Sequence, residues 1–344
     1  MKKQKIYFIC PSNKFVTGGV KQIYKMVETL NENNFDAVLL LKKNNKESWF
    51  NSKVPIEISP YIFKKIKYSY KNKSFNFFGK LVLKYLKLKS ISLEENSILV
   101  FPEIYGPKIN EIEPQLKKVI FNQNCYYTFE HFYQNYNSNP YQNTNSLATI
   151  VVSEDSKKYL NFTFPEHQVH RLKIGVDTST FFYSENKQKI ISYMPRKLSE
   201  DSIQIINILK IRNNLKTWSI LPIENNTESE VAEILKKSAI FLSFNHREGF
   251  GLPPVEAMAC GCFVIGYQGQ AGREYFKDEF SSTVPEGNII QFVKEIENII
   301  NNYEIDPEKL AYKGMLAAKL IKENYNVEKE ETIKIWEKIL FAQE

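Results

Sequence analysis

Short runs of consecutive apolar residues, each about one strand long, alternate along this chain with segments that are apolar at helical spacing. In the first part, residues 6–10, 37–41, 98–101, 119–122 and 149–153 have the length and content of buried strands. Between the first two, Val20, Ile23, Tyr24, Val27 and Leu30 share one face of a helix expected over 20–30, and another helix is expected over 154–160. A second series follows. Strands are expected at 189–193, 218–221, 239–244 and 262–267, and helices at 199–213, 229–238, 254–259, 289–301, 307–324 and 327–341. Alternation of this kind predicts an α/β chain of two Rossmann-like halves. At about 150 residues per domain, 344 residues suit two domains, with the polar stretch 175–189 as their linker.

Composition matters mainly for what it excludes. Apolar residues at 43% and charged residues at 25% are ordinary for a folded soluble chain and exclude global disorder. The net charge of +7 is concentrated: between Glu57 and Glu94 there are nine lysines and no acidic residue. Without that stretch the chain is slightly acidic, so the broad basic footprint of a nucleic-acid binder is missing, and no nucleic-acid partner is expected. Residues 64–89 also carry Phe78, Leu81, Val82, Tyr85 and Leu86 at helical spacing, with Lys80, Lys84 and Lys87 as a second stripe. A basic, aromatic, amphipathic helix suits an anionic membrane surface or a polyanionic acceptor; a solvated lysine face is the plainer alternative.

Four cysteines are too few for a disulfide scaffold. Cys260 and Cys262 would need two further ligands to hold zinc, so buried reduced thiols and a cytoplasmic setting are expected. The start, Met1-Lys2-Lys3-Gln4-Lys5, is followed by an apolar run too short for a signal peptide, and no run approaches a membrane-spanning length. A cytoplasmic protein, peripheral at most on the membrane face, is the expectation.

The most informative segment is Ser243-Phe-Asn-His-Arg-Glu248-Gly249-Phe250-Gly251-Leu252-Pro-Pro-Val-Glu256-Ala-Met-Ala-Cys-Gly261. A buried strand ends in a polar turn holding Glu248; two glycines follow; then a helix opens with Glu256 near its start. Ligands of open α/β sheets bind where strands end and helices begin. Gly249 and Gly251 let the backbone come close, amides can cradle phosphate, and carboxylates suit sugar and ribose hydroxyls.

Glu248-Gly-Phe-Gly-Leu, then three residues, then Glu256-Ala-Met-Ala-Cys-Gly closely resembles the donor-site motif of retaining glycosyltransferase family 4, the group 1 glycosyl transferases. The likeness is specific over 239–275 and patchier but collinear elsewhere. It implies the GT-B fold: two Rossmann-like domains facing a cleft, here 1–175 for the acceptor and 176–324 for the nucleotide-sugar donor. A C-terminal helix, 325–344, would cross back to the first domain, with Trp336 as anchor.

The resemblance also implies roles. Glu248 would hold hydroxyls of the transferred sugar, as the catalytic carboxylate; Glu256 would hold the ribose. The backbone of Gly249, Phe250, Gly251 and Leu252 would meet sugar or phosphate. In Tyr193-Met-Pro-Arg196-Lys197, Arg196 would neutralise the leaving diphosphate. The family's partner lysine stands several residues further on, whereas Lys197 is adjacent. Gly18 and Gly19, in Thr17-Gly-Gly-Val20 between the first strand and first helix, resemble the N-domain glycine loop. Where the family often has a histidine, this chain has Phe121-Asn122-Gln123-Asn124; His131 follows shortly, so Asn122, Asn124 and His131 are the acceptor-side candidates. With no Asp-x-Asp in the chain, neither a metal nor any other cofactor is expected. The expected activity is retaining transfer from a nucleotide-diphosphate sugar to a glycan or lipid-linked glycan, in cell-surface polysaccharide synthesis. The second half is short, with one strand and one helix between 213 and 239 where the family fits more, so a non-catalytic nucleotide- or glycan-binding subunit is the alternative.

Overall fold

The structure is a computed structural model that describes residues 3–11, 17–43, 53–70, 75–130 and 139–342. It divides into two compact units, Met1–Leu172 with Lys329–Glu344, and Lys173–Glu328.

The first unit is built on seven strands: β1 (Lys5–Ile9), β2 (Asp36–Leu41), β3 (Ile56–Ile58), β4 (Ile98–Pro102), β5 (Lys117–Asn122), β6 (Ser146–Val151) and β7 (Val169–Arg171). They form one parallel sheet in the order β3-β2-β1-β4-β5-β6-β7. The central strands are buried along nearly their whole length, which is why they read as unbroken apolar runs. Among the described residues, α1 (Gly18–Glu32), α2 (Pro60–Tyr70), α3 (Phe77–Leu88) and α4 (Glu154–Thr163) belong here, joined by the chain's last helix. α1 buries Val20, Ile23, Tyr24, Val27 and Leu30, the face expected from spacing, but it starts earlier. Thr17 is its N-cap and accepts from the Val20 amide, so Gly18 and Gly19 lie in the first helical turn and not in a loop before it.

The second unit has five strands: β8 (Gln188–Tyr193), β9 (Ser219–Pro222), β10 (Ser238–Asn245), β11 (Phe263–Gln268) and β12 (Ser281–Thr283). They too are parallel, in the order β12-β11-β10-β8-β9. Its helices are α5 (Ser199–Arg212), α6 (Glu228–Lys237), α7 (Leu252–Ala259), α8 (Ile289–Ile305) and α9 (Pro307–Asn324). A single strand, β9, and a single helix, α6, occupy the span between α5 and β10. Ile191, Leu242, Phe263, Phe292 and Ile296 stand in the core between this sheet and its helices.

The chain ends in α10 (Glu328–Phe341), which belongs to the first unit from Lys329 on. All four cysteines are buried free thiols. Among the described residues, no helix is long and apolar enough to cross a membrane.

Candidate active site

In the second unit the chain runs from β8 outward to β9, then back to β10 on the other side of β8. The β8–β10 boundary is therefore where the order of strands reverses, the place where open α/β sheets bind their ligands. Tyr193 pairs in register with Leu242, so the residues just beyond each strand emerge side by side. After β8 come Arg196 and Lys197; after β10 come Glu248, Gly249, Phe250 and Gly251.

Lys197 reaches across this boundary and its Nζ pairs with Oε1 of Glu248. Both side chains are only partly exposed, at 34% and 20%. The turns that aim them are left-handed: Leu198 has φ 44° and Arg247 has φ 44°. Arg196 is exposed, with no ion pair among the described residues. Glu256 stands in the second turn of α7 and is half-buried.

The glycine turn between the carboxylates is held from below. Gly251 has φ 85°, and a Cβ there would come within 2.5 Å of the Asn245 amide nitrogen and 2.7 Å of the Tyr275 hydroxyl. Only glycine fits that conformation and that space. The fully buried Tyr275 hydroxyl donates to the Phe250 carbonyl at 2.8 Å and accepts from Asn245 Nδ2 at 3.2 Å. Burial pushes this phenol well above its usual pKa, so it stays a donor. The Phe250 ring itself is buried against Tyr275 and Tyr325, leaving the turn's backbone as its functional part. The amides of Gly249, Phe250 and Gly251 donate no hydrogen bond within the described residues. Pro253 and Pro254 open α7 without amide protons, so Leu252 supplies the first N–H of that helix. The carboxyl ends of β8 and β10 thus carry a carboxylate paired with an ammonium, an exposed guanidinium and a row of amides without hydrogen bonds among the described residues.

Sequence reasoning missed Asn245 and Tyr275. Asn245 lies inside the segment 243–261, but Tyr275 stands beyond it, and only the fold brings its hydroxyl under Gly251.

In the first unit the strand order reverses between β1 and β4. Gly18, exposed, and Gly19 open α1 there. Gln123, just past β5, donates from Nε2 to the Gly19 carbonyl at 3.1 Å. Behind it sits Glu103, 4% exposed at the end of β4, whose two oxygens accept from the amides of Gln123 and Asn124 at 3.0 and 3.1 Å. Burial raises the Glu103 carboxyl to about 7, against the lowering effect of those amides. Asn122 is fully buried and donates to Thr128 and Tyr141, both at 2.9 Å; Asn124 caps the Tyr126 amide at 3.1 Å. The side chains of Asn122 and Asn124 are thus engaged in shaping the loop. His131 lies outside the described residues. Glu103 and Gln123 were not anticipated, since a lone Glu after a strand has no signature.

The His167 Nε2 meets the Thr149 hydroxyl at 2.8 Å. Among the described residues, no cluster of three or more His, Cys, Asp or Glu side chains is placed to hold a metal ion.

The family model for glycosyl transferases group 1 matches residues 214–315, a span that contains β10, the glycine turn and α7. Within the second unit, residues 214–315 are thus similar to the group 1 glycosyl transferases. The chain is also 26% identical over 312 residues to an alpha-1,6-glucosyltransferase of Actinobacillus pleuropneumoniae serotype 7 (strain AP76), covering 87% of this chain and 84% of that protein. Two solved structures share the fold. Sucrose-phosphate synthase from Thermosynechococcus elongatus superposes with a TM-score of 0.66 at 14% identity, over 99% of this chain and 100% of that one. Anabaena HepE, solved in complex with UDP-glucose, does so at 0.61 and 13%, over 98% and 99%. The fold is GT-B, and the match to the group 1 model together with the glucosyltransferase relative supports glycosyl transfer.

Proposed function

We propose that this chain is a retaining glycosyltransferase that moves a sugar from a nucleotide-diphosphate sugar to a hydroxyl of a glycan or lipid-linked glycan, without a metal ion, in the building of cell-surface polysaccharide. The observation that carries this reading is the Lys197–Glu248 pair, set beside unspent amides where the strand order reverses. Glu248 accepts hydrogen bonds from the transferred sugar's hydroxyls. Lys197 and Arg196 stabilise the charge that gathers on the departing diphosphate. The amides of Gly249, Phe250, Gly251 and Leu252 meet the same sugar and phosphates, and Glu256 takes the ribose hydroxyls. In the first unit, Gly18 and Gly19 offer amides at a helix N-terminus, a place suited to an anion.

In the transfer, the bond from the anomeric carbon to the phosphate oxygen breaks while the acceptor oxygen attacks from the same face. The leaving phosphate takes the acceptor's proton, so no enzymic base or nucleophile is required. The alpha-1,6-glucosyltransferase relative makes a glucosyl donor the first to test. An α-linked donor and an α-linked product would together mean retention.

Thermal-shift measurements with UDP, GDP and ADP, and with the matching glucose conjugates, test donor binding, since a ligand of the native state raises the melting temperature. NMR of the product's anomeric proton tests retention. Binding without turnover for any donor and acceptor glycan would favour a non-catalytic subunit.

A further inference from the structure

α3 packs on its own unit with a narrow face and leaves a wider apolar face in water. Asn76 caps it through the Gly79 amide at 2.8 Å, and Ser90 ties its end to α2 by accepting from the Tyr61 amide at 3.1 Å. At 100° per residue, Gly79, Leu83 and Leu86 point one way; these are its only buried or half-buried residues. Phe77, Phe78, Leu81, Val82, Tyr85 and Leu88 cover the opposite side. All six are exposed, with Phe77 at 72%, Phe78 at 73% and Leu88 at 83%. Lys80, Lys84 and Lys87 run along one border of that face, and Lys89, at the C-cap, lies over the Tyr85 ring. Isolated exposed apolar residues are ordinary, but six contiguous ones on a 12-residue helix mark a surface meant to be covered.

We propose that α3 docks the protein on an anionic lipid bilayer, the apolar face entering the interfacial layer and the lysines meeting headgroups. Charge complementarity selects this occupant: nine lysines and no carboxylate lie between Glu57 and Glu94. A free polyanion would use the lysines and leave the six exposed apolar side chains unaccounted for. A second copy of the chain would bring two such lysine borders together within a Debye length, where they repel. The surface belongs to the first unit and does not depend on donor chemistry in the second.

Flotation of the full chain with vesicles of phosphatidylcholine alone, or of phosphatidylcholine with phosphatidylglycerol, tests it. The chain should float with the anionic vesicles, weakly or not at all with the neutral ones, and less at raised salt. Replacing Phe77, Phe78, Leu81 and Leu88 together by serine should abolish flotation. The pair Lys80→Glu and Lys84→Glu should weaken binding to anionic vesicles by about tenfold or more. Both variants should melt like the parent, because the altered side chains are exposed. The proposal is overturned if the parent chain stays unbound with anionic vesicles, or if the serine variant binds them equally well. A dimer in sedimentation that the serine variant dissolves would overturn it too, making the face an interface between copies.

Discussion

Tyr275 shows how much of the proposed donor site can rest on one buried hydroxyl beneath the glycine turn. It donates to the Phe250 carbonyl and accepts from Asn245, and both bonds lie under the turn that presents the amides. Tyr275→Phe leaves the buried Phe250 carbonyl and Asn245 amide without this partner, so about 1–3 kcal/mol of stability should go. The donor KM should rise more than kcat falls. Gly251→Ala should be worse, because the strained φ and the clash with Asn245 act together. Thermal melts and donor titrations check both; a Tyr275→Phe protein with parental melting and donor affinity would remove the buttress from the account. The two carboxylates should separate kinetically. Glu256→Ala is expected to weaken nucleotide binding, and Glu248→Ala mainly to lower turnover, each by about 1.5–3 kcal/mol. If both variants kept full affinity and rate, the donor-site assignment would fail. Activity should also survive EDTA; loss that manganese restores would refute metal-independent transfer.

At the scale of elements, the long buried strands and amphipathic helices were legible because burial writes itself as apolar runs and 3.6-residue stripes. β3, β7 and β12 were not. Each is three residues long, and β3 and β7 are half-buried throughout, so neither period nor run length marks them. For the proposed site, the motif alone drew Glu248 and Glu256 out of the sequence, whereas the closeness of Lys197 to Glu248 was not legible. That depends on β8 and β10 being neighbours and on left-handed residues at 198 and 247, which are properties of the folded sheet. The edge beside β7 supplies a pH test. Desolvation lowers His167 from 6.5 to about 4, with His170 adding to the effect. The unfolded chain therefore takes up this proton near pH 6.5 and the folded chain only near 4. Its contribution to stability is full above 6.5 and falls as the pH drops toward 4. Glu103 acts in the opposite sense, its stability contribution falling as pH rises from 4.5 to about 7. The difference in melting temperature between the parent chain and His167→Phe, followed from pH 7 to pH 4, isolates the histidine. The parent should lose stability relative to the variant on acidification; parallel curves would show that His167 titrates normally.

The whole molecule is one chain that leaves its first unit at Leu172 and returns to it at Lys329, so the final helix decides whether that unit is complete. Trp336 is the centre of that return. It is fully buried and its ring lies 5.7 Å from that of Phe8 on β1, while Thr332, Ile335 and Ile339 are buried with it. At the entry, Lys329 pairs with Glu32 at the end of α1; this exposed bond adds little beside the tryptophan. A residue of this size removed from a packed site leaves a cavity as well as lost contacts, so Trp336→Ala should cost about 3–5 kcal/mol. The indole nitrogen has no hydrogen-bond partner among the described residues, so its burial opposes the ring's. Trp336→Phe keeps most of the apolar contact and removes that unpaired donor, and should therefore cost far less than alanine. Deleting 333–344 removes the anchor and uncovers the apolar surface around Phe8, although every donor-site residue proposed in the second unit remains. The truncated chain should melt well below the parent, bind an apolar dye and lose activity. An unchanged melting temperature and rate would mean that the first unit is complete without its last helix.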